Sequence, residues 1–136
     1  MKNKGGKKEN KKIVLLVDDN PDLLYSVKKG LESLSEDYGV VTAESGRKCL
    51  QSLKSIKPAL ILLDIMMPGM DGWDTCAKIK SNKKTENIHI VFLTAKTDPV
   101  SKSMGRLASA DYITKPFDMK DLKKRIDFVV KSNRKK

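Results

Sequence analysis

At 136 residues the chain is one domain's worth, too short for two ordinary ones, with 39% hydrophobic and 33% charged residues. That balance supports a core able to fold without disulfides or a structural metal. No apolar run approaches the ~20 residues of a membrane helix, and the basic start Met1–Gly6 lacks the apolar stretch of a secretory signal. Cys49 and Cys76 stand alone, with no CxxC and no histidine cluster, and read as reduced, partly buried thiols of a cytoplasmic protein. Membrane protein, secreted knot and zinc module are excluded.

The formal net charge of +11 sits mostly at the ends. Residues 1–12 hold six Lys and one Glu, residues 131–136 three Lys and one Arg, and the span 13–130 is nearly balanced, with 18 basic and 16 acidic side chains. Blocks of this kind read as solvated tails, with attraction of a polyanion as the alternative. No aromatic residue interleaves with the tail lysines, so a stacking platform for single strands is unsupported. The expected organisation is a basic tail over 1–11, a folded body over 12–131 and a second basic tail over 132–136.

In chain order, Ile13–Val17 reads as a first strand. Asn20-Pro21 then makes a cap and first turn for a helix carrying Leu23, Leu24, Val27, Leu31 and Leu34 at helical spacing. Val40–Thr42 is a second strand, and Ser45 caps a helix with Cys49, Leu50 and Leu53. Ala59–Leu63 is a third strand, followed by a shorter helix marked by Trp73, Cys76, Ala77 and Ile79. Ile90–Leu93 is a fourth, and Asp98-Pro99 opens a helix with Val100, Met104 and Leu107 that Gly105 weakens. Tyr112–Thr114 is the fifth, and Asp118 caps a last helix with Met119, Leu122, Ile126 and Val129 on one face. The strands are continuous apolar runs rather than alternating ones, as strands read when a parallel sheet is covered on both faces. The βα alternation predicts an open parallel α/β sheet with helices on both sides.

Right-handed crossovers bring the carboxyl ends of all strands to one edge, where ligands bind in such folds. Asp18 and Asp19 follow the first strand, Asp64 the third, Thr94 the fourth, and Lys115-Pro116 the fifth. Any one Asp at a strand end is more often a cap or turn former than a ligand. Together, three close carboxylates would repel by on the order of 4 kcal/mol per pair at intermediate dielectric. A divalent cation neutralises such a cluster, and an all-oxygen set suits Mg²⁺, with Mn²⁺ as an alternative. Thr94 can donate a hydrogen bond to a phosphoryl oxygen, Lys115 can pair with one as a point cation, and a carboxylate beside the metal can be the nucleophile that forms an aspartyl phosphate.

The runs Val17-Asp18-Asp19-Asn20, Leu63-Asp64-Ile65-Met66-Met67-Pro68-Gly69-Met70-Asp71-Gly72, Leu93-Thr94-Ala95 and Asp111-Tyr112-Ile113-Thr114-Lys115-Pro116-Phe117 resemble those of a response-regulator receiver domain of two-component signal transduction. The resemblance covers roughly residues 12–131, and the chain is similar to the stand-alone, chemotaxis-type receivers. It implies a flavodoxin-like (βα)5 fold with strand order 2-1-3-4-5. It further implies that Asp64 is the phosphoacceptor, loaded by a histidine kinase or histidine phosphotransfer protein in a Mg²⁺-dependent phosphorelay. Asp18, Asp19 and Asp64 would hold the metal with the backbone carbonyl of Met66, while Thr94 and Lys115 contact the phosphoryl group. Tyr112 matches the family's aromatic switch, a cis Lys115-Pro116 bond is implied, and the small Ala95 would leave the site open. Ser109-Ala110 departs from the family's usual Gly-Ala. Met66 and Lys96 occupy variable positions that tune loss of the phosphoryl group, and an apolar Met66 cannot orient an attacking water, so slow dephosphorylation is expected.

The only histidine, His89, lies at the start of the fourth strand, away from the carboxylates, and is expected to be structural or solvated. Asp111 and Arg125 match positions that pair across the interface in some dimeric receivers, so a monomer or weak dimer is expected. With nothing after Lys136, the expected signal route is a downstream protein bound on the face of the fourth helix, fifth strand and fifth helix, and not an enzymatic activity. Two other classes compete. An aspartyl-phosphate phosphatase wants an acid two residues beyond its nucleophile, where Met66 stands. A flavin site wants a Ser/Thr/Gly phosphate loop where Asp18-Asp19-Asn20-Pro21 stands. The remaining alternative is a phosphorylation-independent module whose basic tails bind nucleic acid or an acidic partner.

Overall fold

A computed structural model describes residues 11–95 and 111–134. The expected helix near 98–107, Lys96, Ser109-Ala110, residues 1–10 of the first tail and residues 135–136 of the second lie outside the described residues. Within them, β1 (Lys12–Val17), α1 (Pro21–Leu34), β2 (Tyr38–Ala43), α2 (Gly46–Ser52), β3 (Leu60–Asp64), α3 (Gly72–Lys80), β4 (His89–Ala95), β5 (Asp111–Lys115) and α4 (Met119–Arg134) follow one another; α4 is the last of the expected helices. The sheet order is β2-β1-β3-β4-β5 and every neighbouring pair is parallel. Counted along the chain this is the flavodoxin-like order 2-1-3-4-5.

The capping signals act where the residue types place them. The Asn20 side chain accepts from the backbone N–H groups of Asp22 and Leu23, and Pro21 opens α1. Ser45 accepts from Lys48 N at α2, and the Asp118 carboxylate from Lys120 N at α4. At α3, Asp71 and Asp74 form a reciprocal capping box, a signal beyond the Trp73/Cys76/Ile79 spacing.

Alternation along each strand divides the core in two. Val14, Leu16, Leu60, Leu62, Val91 and Leu93 face α1 and α4, meeting Leu24, Val27, Leu31, Leu122 and Ile126. Leu15, Val17, Ile61, Leu63, Ile90 and Phe92 face the other way, meeting Cys49 of α2 and Ile79 of α3. Residues Val14 to Val17 and Leu60 to Leu63 are 0% exposed, which is why β1 and β3 read as unbroken apolar runs. Each such side chain contributes about 1.5–3 kcal/mol by leaving water. Burial pushes the Cys49 thiol up to about 12, consistent with an inert core cysteine. No described helix is long and apolar enough to cross a membrane.

The edge strand β2 is partly covered by side chains of α1. Lys28 Nζ donates to the Val40 carbonyl at 2.7 Å, and the Glu32 carboxylate accepts from Val40 N at 2.8 Å. The two side chains also pair with each other at 3.0 Å. Together they occupy backbone groups that would otherwise template another strand.

Candidate functional site

The ends of β1 and β3 carry the acidic residues into one crevice because both strands lie at the centre of the sheet. Main-chain bonds prolong the ladder there, from Asp18 N to the Ala43 carbonyl at 3.2 Å and from Ile65 N to the Leu93 carbonyl at 3.1 Å. Ligand oxygens of Asp18, Asp19 and Asp64 lie within 4.8 Å of one another; Asp18 and Asp64 are buried and Asp19 is exposed. Asn20 N donates to Asp18 Oδ1 at 3.0 Å and so orients that carboxylate.

Lys115 arrives from β5. Its Nζ donates to Asp18 Oδ2 at 2.8 Å and to Asp64 Oδ1 at 3.2 Å, tying three strands together. The Asp18 and Asp64 side chains are 1% and 5% exposed, so these contacts act with little solvent screening. The Lys115-Pro116 bond is cis. Burial and then the charge of Asp18 raise the Asp64 carboxyl to about 6, with Lys115 pulling it back and Asp19 adding a smaller upward push. Burial works against the Lys115 ammonium, but its two carboxylate partners outweigh that and hold it above the usual lysine range. Asp64 is thus a buried carboxyl held beside an ammonium and opposite two further carboxylates.

The donor set fits Mg²⁺: three hard carboxylate oxygens come together from two strand ends, with no sulfur or nitrogen ligand among them. Thr94 is buried at the end of β4, one strand from Asp64, and its register neighbour on β5 is Thr114. Met66 is half exposed just past Asp64, and Tyr112 is 41% exposed on β5. Trp73 stacks at a tilt on Phe92 of β4, with ring centroids 4.4 Å apart, so it packs its helix onto the sheet.

Three features escape the sequence pattern. The first is the direct hold of Lys115 on Asp18. The second is the shape of the loop between Asp64 and α3. Gly69 there adopts φ +74°, while Gly72 packs so closely that an added Cβ would lie 2.4 Å from the Asp64 carbonyl oxygen. The Gly-x-x-Gly spacing after Asp64 is the available signal for that loop. The third is a cluster at the start of β5, remote from the carboxylates. There the Asp111 carboxylate accepts from Arg125, and His89 Nε2 lies 3.0 Å from it. Arg125 also donates to the Tyr112 carbonyl at 3.0 Å. His89 is therefore structural, and Asp111 and Arg125 pair within the chain.

Comparison with known proteins agrees with this geometry. The model of the response regulator receiver domain matches residues 14–127. A CheY-like response regulator receiver domain protein of Methanospirillum hungatei is 41% identical, with a TM-score of 0.79 over 91% of this chain and 98% of that one. Protein PilG of Pseudomonas aeruginosa is 34% identical over 80% of each chain. A protein of Vibrio cholerae named as a probable cyclic di-GMP phosphodiesterase is 36% identical over 90% of this chain but only 27% of its own length. The chain likewise spans 49% of PhoP of Bacillus subtilis, so several curated relatives are much longer than the region they share with it. With its sheet order, its acidic crevice and a family match from residue 14 to residue 127, the chain belongs to the response regulator receiver domains of two-component systems.

Proposed function

We propose that this receiver is a phosphorylation switch in which Asp64 accepts a phosphoryl group from a phosphohistidine of a histidine kinase or histidine phosphotransfer protein. The observation that carries this reading is the contact of Lys115 Nζ with both Asp18 and Asp64, inside a carboxylate cluster whose oxygens lie within 4.8 Å of one another. An Asp64 oxygen bonds to phosphorus, the P–N bond of the donor breaks, and its electron pair returns to the imidazole nitrogen. Asp18, Asp19 and Asp64, with the Met66 carbonyl, would hold Mg²⁺, which would supply positive charge to offset the phosphoryl oxygens.

The protein's own groups do the rest. Lys115 already stands at the acceptor oxygen and pairs with the incoming phosphoryl group as a point cation. The Thr94 hydroxyl donates to a phosphoryl oxygen, and its movement toward the phosphate lets the outward Tyr112 turn in. That changes the face of β5 and α4 to which a downstream protein binds. Met66, apolar and half exposed, offers no group to orient water on the phosphoryl phosphorus, so the phosphorylated form is long-lived.

Intact mass before and after incubation with acetyl phosphate and Mg²⁺ tests the reading. A single phosphoryl adduct is expected, absent in Asp64→Ala and absent with EDTA. An adduct that persists in Asp64→Ala would refute the assignment, and a half-life of seconds in Mg²⁺ buffer would refute the role given to Met66.

A further inference from the structure

The amino edge of the sheet, opposite the carboxylates, carries a cleft of about 910 Å³ between the loop that leads into β3 and the loop that leads into β4. Lys54 and Lys57 line it from the first loop, Lys83 and Lys84 from the second, and no acidic side chain lines it. All four lysines are exposed, and none enters an ion pair among the described residues. Lys80, the neighbouring cation, is spent on the loop itself, donating to the carbonyls of Glu86 and Ile88 at 2.9 and 2.7 Å. The Thr85 hydroxyl is likewise committed, to the Ile79 carbonyl at 2.6 Å. Beside Ser55 and Asn87, the cleft presents four ammonium groups around the apolar surface of Ile56, Pro58 and Ile88.

We infer that this cleft docks an acidic segment of a partner protein, a stretch of Asp and Glu carrying one or two large apolar side chains. Charge complementarity names the occupant. The span 13–130 is nearly neutral by count, yet four lysines and no carboxylate line this cleft, exposed Glu86 of the second loop lying outside the lining. The apolar surface between them calls for an anchor that a bare polyanion lacks. No aromatic ring lines the cleft, so the stacking platform of a single-stranded nucleic acid is missing. The cleft and the Asp64 crevice lie at opposite ends of the same strands. A partner can therefore stay tethered here while the crevice remains accessible.

The probe is a fluorescein-labelled peptide of about twelve residues, Glu and Asp with two leucines, titrated by anisotropy against the full chain. The lysines outside the cleft, the tails included, stay in place in every protein variant. Lys54→Gln, Lys57→Gln, Lys83→Gln and Lys84→Gln combined should weaken binding by about tenfold, the scale of four screened surface pairs lost together. Leu→Ser in the peptide should weaken it severalfold, and amide shift changes should cluster at residues 53–59 and 83–88. These substitutions lie on exposed side chains, and thermal unfolding of the variant should match that of the parent. Unchanged affinity in the quadruple variant would assign binding to the tails and overturn the proposal. So would shifts mapping elsewhere, equal binding of a single-stranded oligonucleotide of the same charge, or self-association of the free chain that the four substitutions abolish.

Discussion

Replacing Gly72 by Ala places a methyl carbon 2.4 Å from the Asp64 carbonyl oxygen and 2.7 Å from Ile65 Cα. Ordinary contacts of such a carbon begin at 3.4 Å, so the neighbours have to give by about 1 Å. Both nearest atoms are backbone, which cannot swing aside as a side chain can. Overpacking of this kind costs about 1–3 kcal/mol. The same shift strains the bond from Gly72 N to the Ile65 carbonyl, now 2.8 Å, whose loss adds about 1 kcal/mol. Gly72→Ala should therefore lose about 3 kcal/mol, or about 10 °C in Tm for a chain of this size. Because Asp64 itself is displaced, phosphoryl uptake should slow by about a hundredfold, the scale of a 1 Å misplacement. Gly69→Ala is the internal control. Its Cβ meets nothing within 4 Å, and only its φ of +74° is charged, at about 1 kcal/mol. Urea unfolding followed by the fluorescence of Trp73, with intact mass after timed exposure to acetyl phosphate, reads both quantities. A Gly72→Ala protein with the parent's midpoint and uptake rate, or a Gly69→Ala protein that is the worse of the two, would refute the reasoning.

Three further outcomes follow from the ion pairs. Burial works against ionisation of Glu32, Asp111 and Asp127, yet Val40 N and Lys28 at the first, Arg125 and His89 at the second, and Lys123 and Tyr38 at the third hold them below the usual range. Such groups add stability above the unfolded carboxyl values of about 4 and lose it as pH falls through the lower folded values. The urea midpoint should thus drop as pH falls below about 4, past the range in which the raised Asp64 takes up its proton, and Glu32→Gln, Asp111→Asn and Asp127→Asn combined should flatten that drop; an unchanged slope would contradict it. Lys115→Met removes a cation that competes for Asp18 and Asp64, so Mg²⁺ should bind severalfold tighter while stability without Mg²⁺ falls by about 3–5 kcal/mol. Calorimetric titration showing weaker Mg²⁺ binding would sink that expectation. A double-mutant cycle between Asp111 and Arg125, whose side chains are 25% and 40% exposed, should return less than about 1 kcal/mol and shrink in salt; a coupling insensitive to salt would argue against a screened surface pair.

The amino-acid sequence alone determined the order and type of the described elements and the edge at which the chemistry gathers. The reasons are local. Leu60 to Leu63 has to be an inner strand because every one of its side chains is apolar, and Asn20-Pro21, Ser45 and Asp118 start helices through bonds to residues two or three positions away. Asp18, Asp19, Asp64 and Lys115 fall at strand ends by counting, so the crevice follows from the parallel connection rule. What only the tertiary structure decided depends on distances between residues far apart in the chain. That Lys115 grips Asp18 from 97 positions away, that Arg125 closes onto Asp111 within one chain, and that Lys28 and Glu32 cover the edge at Val40 are matters of register and helix rotation. The lysine-lined cleft belongs to the same class, since its four cations come from two loops that are unremarkable when read singly. Short-range periodicity and capping are written in neighbouring residues, whereas ion pairs and clefts are set by how the sheet aligns its strands.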